Sequence, residues 1–301
     1  MKKFRILLMM CISAASLSLA GAEPDKVTAG LRYNHVQWKA SHNSYAKEAD
    51  IMTQLRDFNI RSIEFDIHTK KKKPLQKAER APDGDFMVYH GAMDDYTNCG
   101  LLSGCFAEVK KFHDMKPDHQ VITIFFDMEG VGEPGHTRDD LYALFKNSLP
   151  KDSIFTPGDL MAACPGAKNL QESVTRKGCG WPLLADLQGK FILVVSDGRE
   201  AFDEGYDVSR DLLFLVNKNG NEEHMRDDLD LVFFNMGGPK PFAATVKDAG
   251  FVSRCYWLDK EKSYLKAKAN KCHHLATDMI DSEKYPWANT HHGPDAPYEY
   301  E

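Results

Sequence analysis

The chain has no Gly/Ser-rich or Pro-rich stretch that reads as a linker and no internal repeat, so its 301 residues offer no point of division. It has no excess of positive charge. Its 38 Lys and Arg stand against 44 Asp and Glu, which argues against general nucleic-acid binding. After the first two dozen residues it has no apolar run long enough to span a bilayer, so no transmembrane segment is expected there. It has no Cys-x-x-Cys pair, which disfavours a structural zinc site. No Gly-rich phosphate loop follows its first expected strand, at 35–41, which weakens a doubly wound nucleotide-binding sheet.

What is present begins with an export signal. Lys2, Lys3 and Arg5 precede an apolar run from Ile6 to Leu19, and Ala20-Gly21-Ala22 offers small residues for cleavage. Residues 1–22 read as a signal peptide and 23–301 as one domain of a periplasmic or secreted protein. Cleavage removes three basic residues and no acidic ones, taking the net charge from −6 to about −9. Six cysteines remain besides Cys11, an even number for an oxidising compartment. Proximity along the chain favours Cys99–Cys105, Cys164–Cys179 and Cys255–Cys272.

Short β-type runs alternate with helix-like segments. Strands are expected at 35–41, 61–68, 85–91, 120–128, 190–197, 229–236, 250–257 and 274–280, with one barrel strand short or missing near 153–156. Several are almost wholly apolar, as when both faces of a sheet are covered. Repeated strand–helix alternation predicts an α/β fold, a TIM-type (β/α)8 barrel with some irregularity. Sites of such barrels lie at the C-terminal ends of the strands. There the sequence places His42 and Asn43, then Glu64 and Asp66, then His90, then Asp127. Period-two alternation turns Glu64 and Asp66 to one side and Ile63 and Phe65 to the other. Any one of these residues alone is explained as a turn or a solvated strand end. Together they form an oxygen-donor set of Asn43, Glu64, Asp66 and Asp127, which suits Ca²⁺ first and Mg²⁺ second. His42 and His90 remain free for proton transfer and charge stabilisation beside a phosphodiester.

The segments "SHNSY", "IEFD", "VYHG" and "ITIFFDME" occur in the order found in the catalytic barrels of phosphoinositide-specific phospholipases C. From about 35 to 282 the chain resembles the calcium-dependent, exported bacterial branch of the PLC-like phosphodiesterase superfamily. The resemblance implies that His42 stabilises charge on the phosphate and that His90 protonates the departing glycerol oxygen. It makes Asn43, Glu64, Asp66 and Asp127 metal ligands, with Glu64 or Asp127 as the general base toward the inositol 2-hydroxyl and a cyclic phosphate as the first product. It implies an inositol phospholipid or inositol-phosphate substrate. Val194 and Ser196 stand where phosphoinositide enzymes carry lysines, so a polyphosphorylated headgroup is not supported. Arg254 is a candidate for binding phosphate, with Tyr256 and Trp257 nearby for packing on a sugar ring. Lys70 and Lys71, opening a basic loop on the same face, are candidates for attracting phosphate or a membrane surface. Two further functions compete: a glycerophosphodiester phosphodiesterase, which usually opens on a His-Arg-Gly motif absent here, and a non-catalytic phospholipid- or phosphosugar-binding barrel.

Overall fold

A computed structural model describes residues 30–71, 79–91, 93–197, 202, 205–217, 225, 230–289 and 298–299. The expected signal peptide, and the basic loop from Lys72 through Lys77, lie outside the described residues. Eight parallel strands form the barrel wall: β1 (Val36–Ser41), β2 (Ser62–His68), β6 (Ile122–Glu129), β7 (Phe191–Asp197), β8 (Leu213–Asn217), β9 (Phe233–Gly237), β10 (Val252–Tyr256) and β11 (His274–Thr277). They neighbour one another in that order, and β11 returns to pair with β1. Short strands complete the set: β3 (Lys70–Lys71) pairs with β4 (Glu79–Arg80), β5 (Met87–Val88) with β2, and β12 (Tyr298–Glu299) with β1. The expected TIM-type barrel is the observed fold.

Every residue of β1 and β2 is buried, the polar ones included. Ile63, Phe65 and Ile67 join the layer between the barrel and helices α1 (Ile51–Arg56), α2 (Leu102–Met115) and α3 (Arg138–Ser148). Trp38, Phe125, Val194, Phe214 and Phe233 belong to a second cluster, which also receives α4 (Pro157–Ala162), α6 (Phe242–Asp248) and α7 (Glu261–Ala269); α5 (Leu170–Thr175) adds Leu170 and Val174. The helices start where their caps dictate. At α3, Thr137 accepts from the Asp140 amide while Asp140 reaches back to the Thr137 amide, so two otherwise unpaired donors are satisfied. The three disulfides are Cys99–Cys105, Cys164–Cys179 and Cys255–Cys272, as proximity suggested.

Two strand expectations are corrected. Residues 85–91 are not the third barrel strand. Only Met87–Val88 is extended there, and it runs antiparallel to β2, with Ile67 opposite Val88 and His68 opposite Met87. The reason is stagger. β1 meets β2 only where Ala40 faces Ser62, so the upper half of β2 outreaches β1 and exposes a sheet edge. Backbone donors and acceptors on that edge need partners, and β5 supplies them. The missing barrel strand is β8, whose five residues are all buried. At 153–156 there is one parallel bridge, Ile154 with Phe191, rather than a wall strand.

Candidate active site

The split between β1 and β2 is where the candidate residues gather. The chain leaves β1 at His42 and turns at Asn43, whose backbone is left-handed (φ 45°), a conformation Asn tolerates better than most residues. This turn folds back onto β2. The Asn43 amide donates to Glu64 Oε2 at 2.9 Å, and the Glu64 amide donates to Ser44 Oγ at 3.0 Å. The loop thus replaces the ladder that β1 is too short to provide.

Glu64 is buried and meets Arg254 from the opposite wall, with Nη2 2.6 Å from Oε2. Arg254 is 2% exposed. Its guanidinium carbon lies 4.9 Å from the Phe125 ring centroid and 5.3 Å from that of Tyr256, and Nη1 donates to Asn235 Oδ1 at 3.1 Å. Burial pushes the Glu64 carboxyl up, but Arg254, His42 and the Asn43 amide together hold it below the ordinary range. It is a carboxylate at neutral pH.

Asp66, two residues on, behaves oppositely. Burial, and then the charge of Glu64, push it up against the hydrogen bond from His90. His90 Nδ1 lies 2.9 Å from Asp66 Oδ2, and that bond raises the imidazole above its usual value. The His90 side chain is about half exposed. Asp127 is the β6 residue paired in register with Asp66, and a register shift in the β6–β7 ladder falls just before it. Tyr45 faces the same acids. Its phenol is pushed up by burial and by the charges of Asp66 and Glu64.

His42 has its own acid, which sequence reasoning missed. Asp278 Oδ1 lies 3.2 Å from His42 Nδ1 and 2.5 Å from Lys47 Nζ. Burial would raise Asp278, but His42 and Lys47 hold it down to about 2. Asp278 directly follows β11. The rule that pointed to the other residues, a polar side chain at the C-terminal end of a barrel strand, would have found it. The His42 ring also stacks beside Tyr256, centroids 6.0 Å apart.

The structure therefore brings together His42, Asn43, Glu64, Asp66, His90 and Arg254. It does not draw in Lys70, whose Nζ pairs with Glu133 at 3.1 Å; the Lys71 side chain lies outside the described residues. Val194 and Ser196 are buried in the wall, so β7 offers no cation there. His90 arrives from the loop after β5 and not from a barrel strand, which corrects its expected origin.

Among the described residues no three His, Cys, Asp or Glu side chains stand together as a ready-made metal site. Glu64 is engaged by Arg254 and Asp66 by His90. The donor chemistry nevertheless suits a hard cation. It is oxygen-only, and Asp66 is pushed up first by burial and then by the charge of Glu64, a cost that a bound cation would offset.

No family model matches the chain, nor does any curated protein. Solved structures do. The apo form of a calcium-dependent phosphoinositol-specific phospholipase C from Pseudomonas sp. superposes with TM-score 0.72 at 23% identity, covering 92% of this chain and 98% of that one. The chain has the fold of a phosphoinositide phospholipase C. The myo-inositol complex of the Pseudomonas phospholipase C gives TM-score 0.73 with the same identity and coverage. The calcium-dependent phosphatidylinositol-specific phospholipase C of Streptomyces antibioticus gives 0.65 at 17% identity, covering 89% of this chain and 99% of that one. At these identities the likeness to phospholipase C is one of fold.

Proposed function

We propose that the protein is an exported, Ca²⁺-dependent phosphodiesterase of the phospholipase C type, acting on phosphatidylinositol or a related inositol phosphodiester. The observation that carries this reading is the pair of imidazoles at the barrel mouth. Each is gripped at Nδ1 by a carboxylate, His42 by Asp278 and His90 by Asp66. A ring held this way presents Nε2 outward, and at His90 the carboxylate favours the protonated form. The phospholipase C fold of the relatives that superpose on the chain is consistent with it.

In this reading the substrate phosphate enters between His42, His90 and Arg254. His42 donates a hydrogen bond to a phosphate oxygen as charge builds there. A carboxylate of the cluster, Glu64 or Asp127, accepts the proton of the inositol 2-hydroxyl. The freed oxygen attacks phosphorus within the same molecule, which makes the step effectively unimolecular. As the phosphorus–oxygen bond to glycerol breaks, the His90 imidazolium gives its proton to the leaving oxygen. Asn43, Glu64, Asp66 and Asp127 would hold a divalent cation, Ca²⁺ in preference to Mg²⁺, which when bound adds positive charge beside the phosphate. Arg254 binds phosphate, and Tyr256 and Trp257 offer ring faces to the inositol. Trp257 is 61% exposed, Tyr96 54% and Met93 91%. All three lie in loops on the mouth side, where a lipid surface would meet the protein.

Release of inositol phosphate from phosphatidylinositol vesicles, with Ca²⁺ and after full chelation, tests the proposal. Activity lost on chelation and restored by Ca²⁺ is expected. Activity that survives chelation removes the metal roles, and activity only on glycerophosphodiesters moves the substrate.

A further inference from the structure

The mouth has two imidazoles with different foundations. His42 directly follows a barrel strand. His90 stands two residues beyond β5, on a loop whose neighbour Ala92 lies outside the described residues. Something must fix the direction in which His90 leaves the sheet.

That role falls on Tyr89, which is 2% exposed and bonded both to the end of β2 and to Lys70 just beyond it. Its amide donates to the Asp66 carbonyl at 3.3 Å, and its hydroxyl donates to the Lys70 carbonyl at 2.8 Å. Its own carbonyl lies 2.7 Å from Nε2 of His68. A carbonyl only accepts, so His68 carries its proton on Nε2 and donates it. The two rings stack, centroids 4.0 Å apart and 26° from parallel. His68 Nδ1 is 3.4 Å from Glu129 Oε2, a surface carboxylate at the register partner on β6. His68 is 6% exposed, and the proposed chemistry gives it no task.

The carbonyl that His68 holds belongs to the peptide unit that leads into His90. Rotation of that unit swings the His90 Cα–Cβ vector and therefore Nδ1, now 2.9 Å from Asp66. We infer that His68 is a positioning residue: by pinning the Tyr89 carbonyl it sets the direction of His90 so that its imidazole meets Asp66 and the substrate together. His68 itself touches no reacting atom. This rests on the reading of His90 as the acid that serves the leaving group.

Two substitutions separate the donor from the ring. His68→Phe keeps a ring to stack on Tyr89 and deletes the N–H. His68→Gln keeps an N–H that reaches about as far as Nε2 and deletes the ring. The donor role predicts that His68→Phe lowers kcat by roughly 10- to 100-fold with KM within about twofold of wild type, as when a catalytic group is misplaced by about an ångström. It predicts that His68→Gln stays within about threefold of wild type in kcat. A crystal structure of His68→Phe should show His90 Nδ1 withdrawn from Asp66. The proposal is overturned if His68→Phe keeps wild-type kcat, if both variants fall equally, or if His90 stays on Asp66 in the His68→Phe crystal. The crystallographic arm reads position without activity. Should the wild-type protein cleave no phosphodiester, it still decides whether His68 places His90, while the failure falls on the functional reading.

Discussion

The histidines at the mouth and the histidines inside the wall are the same side chain in opposite settings. His273 and His274 are fully buried, and they hydrogen-bond to the neutral Ser253, Asn34 and Tyr33. His273 Nδ1 accepts from the Ser253 amide at 3.1 Å, and its Nε2 donates to the Asn34 carbonyl at 3.0 Å. His274 Nε2 meets the Tyr33 hydroxyl at 3.0 Å, and that hydroxyl also meets Thr123 Oγ1 at 2.7 Å. Burial first, and then nearby basic groups (Lys247 and His35 for His273, His273 and Arg254 for His274), lower His273 to about 3 and His274 well below its ordinary value. At the mouth, Asp66 raises His90 despite partial burial. An imidazole in a wall is a neutral packing element, whereas one against a carboxylate is ready to hold and give a proton. The partner, and not the residue type, separates the two.

The largest expected effect breaks this contrast if it fails. His42→Ala and His90→Ala should each lower kcat by about 10²- to 10⁴-fold with the circular dichroism spectrum unchanged. His273→Asn should cost stability and leave kcat within about threefold. Turnover measured on these variants decides it, and an equal loss at His273 would erase the distinction. Next comes the charge that the wall contributes to the mouth. Arg254→Met should cost about 3–5 kcal/mol in urea unfolding, because it leaves buried Glu64 without its cation. Adding Glu64→Gln should recover most of that loss; no recovery would mean the pair is not coupled.

The pH dependence sharpens the contrast. Between the ordinary histidine value of 6.5 and about 3, the unfolded chain binds a proton at His273 that the folded chain refuses. Stability therefore falls as pH falls through that window, by at most about 1.4 kcal/mol per pH unit for this one group. His90 runs the other way. Its folded value is raised, so its contribution is complete below 6.5 and is lost as pH rises through that folded value. Imidazole carbon NMR should show His90 titrating above 6.5 and His273 far below it; a common midpoint would dissolve the comparison. The smallest effect is Tyr33→Phe. It removes the hydroxyl shared by Thr123 and His274, should cost about 1–2 kcal/mol by chemical denaturation, and should leave kcat unchanged.

Much of this molecule was legible in its sequence. The alternation Ile63-Glu64-Phe65-Asp66-Ile67 put the acids on one face, because a side-chain period of two leaves no other choice. The apolar runs marked buried parallel strands, and the helix-like segments between them appear as helices such as α3 and α7. The errors have physical causes. Residues 213–217 supply only five apolar-rich positions, too short a signal to stand out from the long segment around them. "DFMVYHG" has a strand's composition because it does pair with a strand, but as an edge filler on β2. Arg254 and Glu64 are 190 positions apart in sequence, and nothing local to either names the other.

By itself, the sequence determined the barrel and the face that Glu64 shares with Asp66, and proximity along the chain favoured the disulfide pairing that the structure shows. Those follow from periodicity and spacing, which are local. The tertiary structure alone decided that β1 stops short of β2, that the loop at Asn43 and the strand β5 fill the gap, and that each mouth imidazole meets its own carboxylate. Those outcomes depend on the stagger at which eight strands close, a property of the whole ring that no single segment carries.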